Sequence, residues 1–425
     1  MNKQNWTGFS KKTISQRIEH LEKLHFLTNS SSETLYQHRT LPLETADQMV
    51  ENVLTTYNLP YALAPDFLVD GKTYQLPMVT EEPSVVAAAS YAAKIIKRSG
   101  GFQTTIQNRQ MIGQVALYQV PDLEQAKKDI LANKEHLLQT ANVAHPSIVK
   151  RGGGACDLRL DFVGNEPTFL VVYLIVDTQE AMGANIINTM MEALTLNLEQ
   201  LSGGKSLMAI LSNYATESLV TAQCTVDLRY LSRNKDEALE LGQKMALASQ
   251  LAQVDVYRAS THNKGIFNGI DALVLATGND WRAIEAGGHA YACRNGQYQG
   301  LSSWHLDEQQ HQIIGQLTLP MPIATKGGSI GLNPNVALSF DLLGQPDAKT
   351  LATLIVSLGL AQNFAALKAL TSSGIQAGHM KLQAKSLALL AGASEKEVPL
   401  LVPQLLKSPH LNLETAQELL EKIRQ

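Results

Sequence analysis

The sequence predicts an α+β protein in which a small domain is inserted into a larger, helix-rich domain. Between residues 111 and 211, strand-like and helix-like segments follow one another in the order βαββαβ, which is the ferredoxin-like split unit. On both sides of this region, apolar residues recur at helical spacing. Near the end of the chain, Gly374 and Gly378 flank a polar stretch and predict hinges for a mobile C-terminal helical flap.

The first hundred residues are predicted to be mostly helical, with apolar periodicity over residues 45–57 and 84–97. The inserted unit begins with a strand near residue 111. Its predicted elements are strands at 111–120, 157–163, 169–176 and 207–211, and helices at 123–141 and 184–201.

After Asn213 the helix-rich pattern returns. It predicts a helix at 235–252, glycine- and asparagine-rich turns at 262–269 and 277–280, and helices at 384–391 and 413–424. The resulting division is a large domain of residues 1–108 and 214–373, a small domain of residues 109–213, and a flap of residues 374–425.

The composition is that of a globular protein: 425 residues, 44% hydrophobic and 17% charged, are enough for two or three packed domains. A net charge of −4 with interspersed signs provides no basic surface for nucleic acid. Cys156, Cys224 and Cys293 lack metal-ligand spacing, so neither a metal site nor a disulfide framework is expected. The N-terminus has no signal-peptide core and no continuous apolar run approaches the length of a membrane span, which predicts a cytoplasmic protein without a membrane segment.

Two adjacent carboxylates, Glu81 and Glu82, precede Pro83 and Ser84 at the predicted start of an apolar helix. Spacing alone favours an ordinary helix start, with Pro83 and Ser84 as first-turn or capping residues and an acid that stabilises the helix dipole. The functional alternative is a carboxyl group in a partly dry site, where it works as a general acid.

The segment from Tyr257 to Gly265 is dense in cationic, amide and hydroxyl side chains, which is typical of a binding loop. A lysine held there, Lys264, would stabilise negative charge on a carbonyl oxygen that is being reduced, and Arg258 would pair with a substrate carboxylate. A solvated surface loop explains the same composition equally well.

Asp280 and His379 each have an ordinary interpretation and a functional one. Asp280 is predicted to cap a helix at a strand-to-helix turn; if it lies between Lys264 and Glu82, it would instead tune the protonation of both. His379 lies next to a glycine in the predicted flap, where a lone histidine is usually a surface residue rather than a catalytic one.

Residues 180–185, EAMGAN, join a buried strand to a helix, where free backbone N–H groups would receive a pyrophosphate. A single glycine does not make the GxGxxG fingerprint, so no Rossmann site is predicted. The glycines at 152–154 and the segment 327–329 permit close approach of a ligand, but tight turns explain them equally well.

Taken together, these segments resemble the soluble, bacterial class of 3-hydroxy-3-methylglutaryl-CoA (HMG-CoA) reductases, over about residues 59–392. The matching motifs are, in order, EEPSVVAAASYAAK, RGGGACD, EAMGAN, ILSN, YRASTHNKGIFNGIDALVLATGNDWRAIEAG, GLAQNFAALKAL and GIQAGHMKLQA. Each short motif is a weak signal alone, but several long motifs in the same order are specific.

The resemblance implies a catalytic set of Glu82, Lys264, Asp280 and His379, because each occupies the family's catalytic position in its motif. In the implied reaction, two hydrides reduce HMG-CoA to mevalonate and CoA through mevaldyl-CoA and mevaldehyde. Lys264 would stabilise the oxyanion, His379 would protonate the departing CoA thiolate, and Glu82 with Lys264 would supply the proton for the alcohol oxygen. Exchange of the oxidised cofactor halfway through turnover explains a mobile flap.

The resemblance also implies substrate contacts from Ser84, Arg258 and Asn268, with Asn213 and Gln362 as polar residues lining the site. The small domain is expected to bind the cofactor through Asp157, Glu180, Met182, Gly183, Ala184 and Asn185. Glu180 stands where the family usually has aspartate, and the added methylene moves its charge. NADPH is favoured over NADH, because Lys150, Arg151 or Arg159 would pair with a 2′-phosphate, although Asp157 would repel one.

Finally, the resemblance implies an obligate homodimer with its active site at the subunit interface, where one subunit supplies Glu82 and the other Lys264. One alternative is a different acyl-CoA or aldehyde reductase, but the intact segment 258–268 argues against a changed substrate loop. Another is an inactive CoA-binding or regulatory homologue, but all four catalytic positions are present.

Overall fold

The chain is described as a computed structural model that covers residues 6–328, 330–372 and 375–424, except for the side chains of residues 375–379, 381 and 382. Its first elements are α1 (Ile14–Lys23), α2 (Asn29–Tyr36), α3 (Leu43–Met49), β1 (Tyr61–Val69), β2 (Lys72–Val79), α4 (Val85–Arg98) and β3 (Phe102–Ile106). The middle elements are β4 (Gln110–Tyr118), α5 (Leu123–Ala132), α6 (Lys134–Ala144), α7 (Pro146–Lys150), β5 (Gly154–Val163), β6 (Phe169–Asp177), α8 (Ala184–Ser202) and β7 (Lys205–Ser212).

The remaining elements are one strand, three helices, a hairpin and five helices. They are β8 (Leu219–Asp227), α9 (Lys235–Val254), α10 (Val256–Ala276), α11 (Trp281–Ala292), β9 (Ser302–Asp307), β10 (Gln312–Pro320), α12 (Pro334–Leu343), α13 (Ala348–Thr371), α14 (Ile375–Leu390), α15 (Val398–Leu405) and α16 (Leu413–Arg424). The mixed α+β class that the sequence predicts is therefore the class observed.

A six-stranded sheet with the order β2-β1-β3-β8-β10-β9 lies at the centre of the larger part of the molecule. The prediction that the first hundred residues are mostly helical is wrong, because two of these strands, β1 and β2, lie within them and β3 follows directly after. Residues 75–78 of β2 are buried without alternation, and a register shift interrupts β1 between Ala64 and Phe67. Neither strand therefore shows the two-residue period by which a half-buried strand is recognised. The helix expected over 45–57 is also shorter, since α3 ends at Met49.

Residues 110–212 form a second sheet, which is four-stranded and antiparallel throughout, in the order β5-β6-β4-β7. Its apolar face packs with α5, α6 and α8 into a core that is separate from that of the six-stranded sheet. The single helix expected over 123–141 is two helices, because Asn133 ends α5 and precedes α6. Its side-chain amide donates to the carbonyl oxygen of Asp129 at 2.8 Å, which satisfies a carbonyl at the end of α5.

Helix α13 is buried on nearly all sides, between α10, α4 and the six-stranded sheet. By length and composition alone it is apolar enough to cross a membrane, contrary to the expectation that no such stretch exists. In the folded chain, 89% of that apolar window is buried inside the protein. Burial of each large aliphatic side chain contributes about 1.5–3 kcal/mol, so this composition is explained by a central core helix.

The polar segment that was expected to form a binding loop, residues 257–265, lies inside helix α10. The helix begins after Asp255, whose carboxylate accepts the backbone N–H of Arg258 at 2.9 Å. At Gly269 it packs so closely on α13 that an added Cβ atom would lie 3.1 Å from Cβ of Gln362. The loop prediction is wrong because polar residues occupy both an exposed face and a buried hydrogen-bonded face of this helix, which hides its amphipathic period.

Helices α14, α15 and α16 form a C-terminal unit with a core of its own, which includes Ala384, Ala388, Leu401, Leu405 and Leu420. The helices predicted at 384–391 and 413–424 lie in this unit. Gly374 and Ser329 lie outside the described residues. The side chain of His379 is likewise outside them, although its backbone belongs to α14.

Candidate active site

Lys264 and Glu82 form an ion pair on an open face of the protein. The Lys264 ammonium, in the third turn of α10, donates to Oε2 of Glu82, which lies just before α4. Asn268 follows Lys264 by one helical turn, and its side-chain amide donates to Oε1 of Glu82 at 3.4 Å. The lysine side chain is 60% exposed and the glutamate 40%, so the pair is accessible to a ligand.

The two charged groups meet within one chain, so the expectation that they come from different subunits is wrong. The fold explains why. Helix α10 packs against β2 and α4, and the short connection between β2 and α4 contains Glu82. The same chain therefore carries the carboxylate to the face of α10 that presents Lys264.

Ser84 occupies the N-cap position of α4, but its side chain does not cap the helix. Its backbone is left-handed, with φ 76° and ψ −18°, a conformation that costs a non-glycine residue about 1–3 kcal/mol. The expected capping role of its hydroxyl is therefore wrong. The left-handed turn leaves the Ser84 hydroxyl without a capping hydrogen bond to the start of α4.

Arg258 lies in the first turn of α10, less than two turns before Lys264. Its side chain is half-buried, and this burial lowers its pKa, although an arginine stays protonated in proteins. Among the described residues, no ion pair involves its guanidinium. A half-buried cation of this kind favours an anionic ligand group.

Asp280 caps helix α11, as predicted, by accepting the backbone N–H groups of Arg282 at 3.0 Å and Ala283 at 3.1 Å. The turn that contains it joins α10 to α11, and not a strand to a helix as expected. Within the described part of the chain, the recorded contacts of its carboxylate are with its own helix and not with Lys264 or Glu82.

Asn213 and Gln362 differ in exposure. Asn213 is exposed directly after β7, whereas Gln362 is 6% exposed in the middle of α13. The side-chain oxygen of Gln362 has no hydrogen-bond partner among the described residues. A buried acceptor without a donor costs about 1–3 kcal/mol, and Gln362 packs against Gly269, next to Asn268. This orphaned atom favours a ligand that supplies a donor.

A half-buried pair of carboxyl groups beside this site is absent from the sequence-based predictions. Asp271 lies on α10 seven residues after Lys264, hence on the same face, and its side chain is hydrogen-bonded to Glu285 of α11. Burial first, and the negative charge of Glu285 second, raise the pKa of Asp271 to about 8. The helical spacing from Lys264 would have identified Asp271 if the segment had been predicted as a helix.

We expect Asp271→Asn to stabilise the protein more at pH 8 than at pH 5. An unfolded aspartate has a pKa of about 3.9, so the folded state binds the extra proton between about pH 4 and pH 8. Stability is therefore lost as pH rises through this window, by about 1.4 kcal/mol per unit at most. Asparagine does not ionise, so the variant does not lose this stability.

The measurement is the change in melting temperature relative to wild type at pH 5 and at pH 8. Asp47→Asn, at an exposed position, is the control. An equal change for Asp271→Asn at both pH values would contradict the prediction.

The connection between β6 and α8 is the strand-to-helix turn that the sequence predicts, and it contains Glu180, Met182 and Gly183. Gly183 has φ 93° and precedes α8 without a side-chain cap. A Cβ atom there would lie 2.3 Å from Cγ2 of Thr178, so only glycine fits. The first N–H groups of α8 are thus left for an anion, next to the half-buried Ala184 and the exposed Asn185.

The carboxylate of Glu180 is bound to protein groups. It accepts the hydroxyl of Thr325 and, at 2.9 Å, the backbone N–H of Ala348, the first residue of α13. Its own backbone oxygen accepts the N–H of Thr325 at 3.0 Å and that of Lys326 at 3.3 Å. Glu180 therefore connects the turn to the larger part of the molecule.

In the glycine triplet at the start of β5, close packing explains Gly153 and Gly154, and a left-handed backbone (φ 89°) explains Gly152. A Cβ atom at Gly153 would lie 2.4 Å from the carbonyl oxygen of Asp177, at the end of β6. Asp157 forms an ion pair with Lys134. The hydrogen bond from Lys134 is the main cause of a lowered pKa of Asp157, so this carboxylate is charged and its charge is offset by the lysine.

Comparison with known proteins shows the family to which the chain belongs. The sequence model of the family described as hydroxymethylglutaryl-coenzyme A reductase matches residues 13–384. The 3-hydroxy-3-methylglutaryl-coenzyme A reductase of Archaeoglobus fulgidus is 40% identical over 98% of this chain and 94% of its own length. A probable reductase of the same name from Borreliella burgdorferi is 34% identical over 79% of this chain and 76% of its own.

Two solved structures of the enzyme from Streptococcus pneumoniae are also similar. One is 63% identical, with a TM-score of 0.87, and the match covers 99% of this chain and all of that one. The other, the class II enzyme bound to NADPH in open conformations, is 62% identical, with a TM-score of 0.86, over 87% of this chain and all of that one.

These matches define an oxidoreductase. More particularly, the chain belongs to the hydroxymethylglutaryl-coenzyme A reductase family, and the relatives above match it over most of their own length. The resemblance recognised in the sequence motifs is therefore confirmed.

Proposed function

We propose that the protein reduces HMG-CoA to mevalonate and free CoA, with two equivalents of reduced nicotinamide cofactor consumed per turnover. The observation that carries this proposal is the accessible Lys264–Glu82 pair with Asn268 beside it, a cation and a proton-transferring group on one face. Such a pair suits a reaction that generates an oxyanion and then protonates it.

The turn at residues 178–183 fits a dinucleotide. Its support is the uncapped start of α8, together with Gly183, which leaves no Cβ atom in the path of a pyrophosphate. When bound there, the cofactor supplies the hydride for each of the two reductions. We infer contacts from Asp157, Glu180, Met182, Gly183, Ala184 and Asn185.

Residues of the chain stabilise the developing negative charge and transfer the proton. The Lys264 ammonium stabilises negative charge on the substrate carbonyl oxygen in both reductions. Glu82 passes a proton to that oxygen through its contact with Lys264. Asp280, at its capping position on α11, is inferred to influence the protonation of Lys264 and Glu82.

The carboxylate and hydroxyl groups of the substrate require polar partners. We infer that Arg258 binds the terminal carboxylate, since its guanidinium is half-buried. Ser84 and Asn268 flank Glu82 and are inferred to bind the hydroxymethylglutaryl group. Gln362 and Asn213 complete the lining, and the orphaned oxygen of Gln362 supports a donor from the ligand.

We propose three domains for the chain. We infer that residues 109–213 are a ferredoxin-like cofactor domain inserted into the large domain, and the strand order β5-β6-β4-β7 supports this. Residues 374–425 are inferred to be a flap with its own core. We also infer a homodimer with active sites near the subunit interface, and a cytoplasmic location.

We infer that NADPH is the preferred cofactor. The charge of Asp157 would repel a 2′-phosphate, but Lys134 pairs with that carboxylate and offsets it. The exposed Lys150 and Arg151 border the same strand and supply positive charge. The NADPH-bound structure of a 62% identical protein supports the same choice.

The test is the absorbance at 340 nm of purified protein with HMG-CoA, with NADPH and NADH in parallel and mevalonate quantified. Oxidation of two cofactors per mevalonate is expected, with the greater kcat/KM for NADPH. No oxidation with either cofactor by a folded protein would contradict the proposal and favour a related acyl-CoA reductase or an inactive CoA-binding protein.

We expect His379→Ala to lose HMG-CoA reduction but to retain reduction of supplied mevaldehyde. The reason is that a thiol pKa lies near 8.5 and an imidazolium readily protonates a departing thiolate, a step that mevaldehyde does not require. Both rates are followed at 340 nm, with His410→Ala in the same C-terminal unit as control. Equal loss in both assays would refute this role.

A further inference from the structure

We infer that Arg109 is a positioning residue, which sets the orientation of the cofactor-binding turn, residues 178–183, relative to the helices of the substrate site. This inference rests on the proposed function. It concerns a residue that lies outside the catalytic set and outside the motifs that carry the family resemblance.

Arg109 lies where the chain passes from β3 of the six-stranded sheet to β4 of the four-stranded sheet, and it is only 7% exposed. Its Nη1 donates to the Thr178 hydroxyl at 3.2 Å and to the carbonyl oxygen of Gln179. Its Nη2 donates to the carbonyl oxygen of Ala181 at 2.9 Å and to that of Ile323, just after β10. One guanidinium therefore binds the turn and the body of the larger part at once.

Glu180 connects the same turn to a second part of the larger core, at Thr325 and the start of α13. Its carboxylate accepts donors from Thr325 and from Ala348, which begins α13. Helix α13 also contains Gln362 and packs on α10 at Gly269, next to Asn268 of the substrate site. The turn is thus linked to the substrate site through a buried, rigid helix.

The charges around the guanidinium are consistent with a fixed position. Burial lowers the pKa of Arg109, and the negative charges of Glu180, Asp177 and Asp347 act in the opposite direction. A planar guanidinium can donate to several acceptors at once, whereas a lysine ammonium is a single compact group that cannot span them. The residue type is therefore matched to the arrangement of acceptors in the turn and at Ile323.

Hydride transfer requires reacting atoms about 3–3.5 Å apart, and a displacement of 1 Å can reduce the rate by about 10²-fold. Loss of the Arg109 contacts should therefore reduce hydride transfer more than substrate binding. The variants are Arg109→Met, which keeps the aliphatic stem, and Arg109→Lys, which keeps the charge. Arg229→Met is the control, because Arg229 is 70% exposed and follows β8, away from the turn.

In NADPH oxidation, Arg109→Met is expected to reduce kcat by about 10- to 100-fold, with KM for HMG-CoA within about twofold of wild type. Deuteration of the transferred position of NADPH should give a larger isotope effect in this variant, because hydride transfer becomes rate-limiting. Arg109→Lys should recover part of the rate. Hydrogen exchange of a peptide that spans residues 178–187 should be faster in both variants, and unchanged in Arg229→Met.

Native kcat together with native exchange in Arg109→Met would overturn the inference. So would a parallel loss of kcat, HMG-CoA affinity and melting temperature in both variants without a larger isotope effect, because that pattern indicates a purely structural role. If the wild-type protein oxidises neither cofactor, the proposed function fails instead. Hydrogen exchange, which needs no substrate, then still decides whether Arg109 holds the turn.

Discussion

Replacing Lys264 with alanine is expected to abolish both hydride-transfer steps and to leave the protein folded. Loss of a single group that stabilises an oxyanion reduces kcat by at least about 10²–10³-fold, and Lys264 is the cation that contacts Glu82. Because negative charge develops on the reacting carbonyl oxygen in both reductions, HMG-CoA and mevaldehyde should be affected equally. Cofactor oxidation at 340 nm with each substrate measures both steps.

The stability of this variant should be nearly unchanged, since an exposed ion pair contributes about 0–1 kcal/mol. The matched control is Lys244→Ala, because Lys244 is a helical lysine that is 53% exposed and pairs with Glu240 at 2.5 Å. It should retain wild-type kcat. A Lys264→Ala variant that keeps more than a tenth of the wild-type rate with either substrate would rule out the assigned role.

Replacing Asn363 with alanine is expected to cause the largest loss of stability, about 3–5 kcal/mol. Asn363 is buried in α13, and its side-chain oxygen accepts the Ser302 hydroxyl at 2.8 Å and the Trp304 indole N–H at 2.7 Å. His262 of α10 joins the network through Nε2, 2.7 Å from the Ser302 hydroxyl. Alanine would leave these buried donors without an acceptor and open a cavity between α13, α10 and β9.

The measurement is the midpoint of urea unfolding, followed by circular dichroism. Ser357→Ala is the matched control, because Ser357 is buried in the same helix and its hydroxyl has no hydrogen-bond partner among the described residues. Removal of that hydroxyl should be neutral or slightly stabilising. The prediction fails if the two variants unfold at the same urea concentration.

The sequence predicts well those elements whose burial has a regular period and whose ends carry local signals. Helices α4, α8 and α9 were recognised from their apolar spacing, and the turn before α8 from its position between a buried strand and a helix. The capping role of Asp280 was also predicted correctly, because a cap depends on a few neighbouring residues.

The sequence does not predict elements whose burial follows no regular period, because tertiary contacts bury them on more than one side. β2 is buried continuously, so it has no alternation, and α10 alternates a polar functional face with a buried polar network around His262. Its segment looked like a loop because polar side chains in a sequence do not reveal whether they face solvent or each other. The same ambiguity concealed the carboxyl pair of Asp271 and Glu285.

By itself, the sequence determined the family and the mixed α+β fold class, since the family's motifs are contiguous in the chain. Only the tertiary structure decided which groups meet. It brought Glu82 and Lys264 together within one chain, directed Glu180 to Thr325 and α13, and placed Arg109 between two sheets. The physical reason is that such contacts join residues far apart in the chain, whose spacing carries no local signal and whose partners are set by the packing of whole elements.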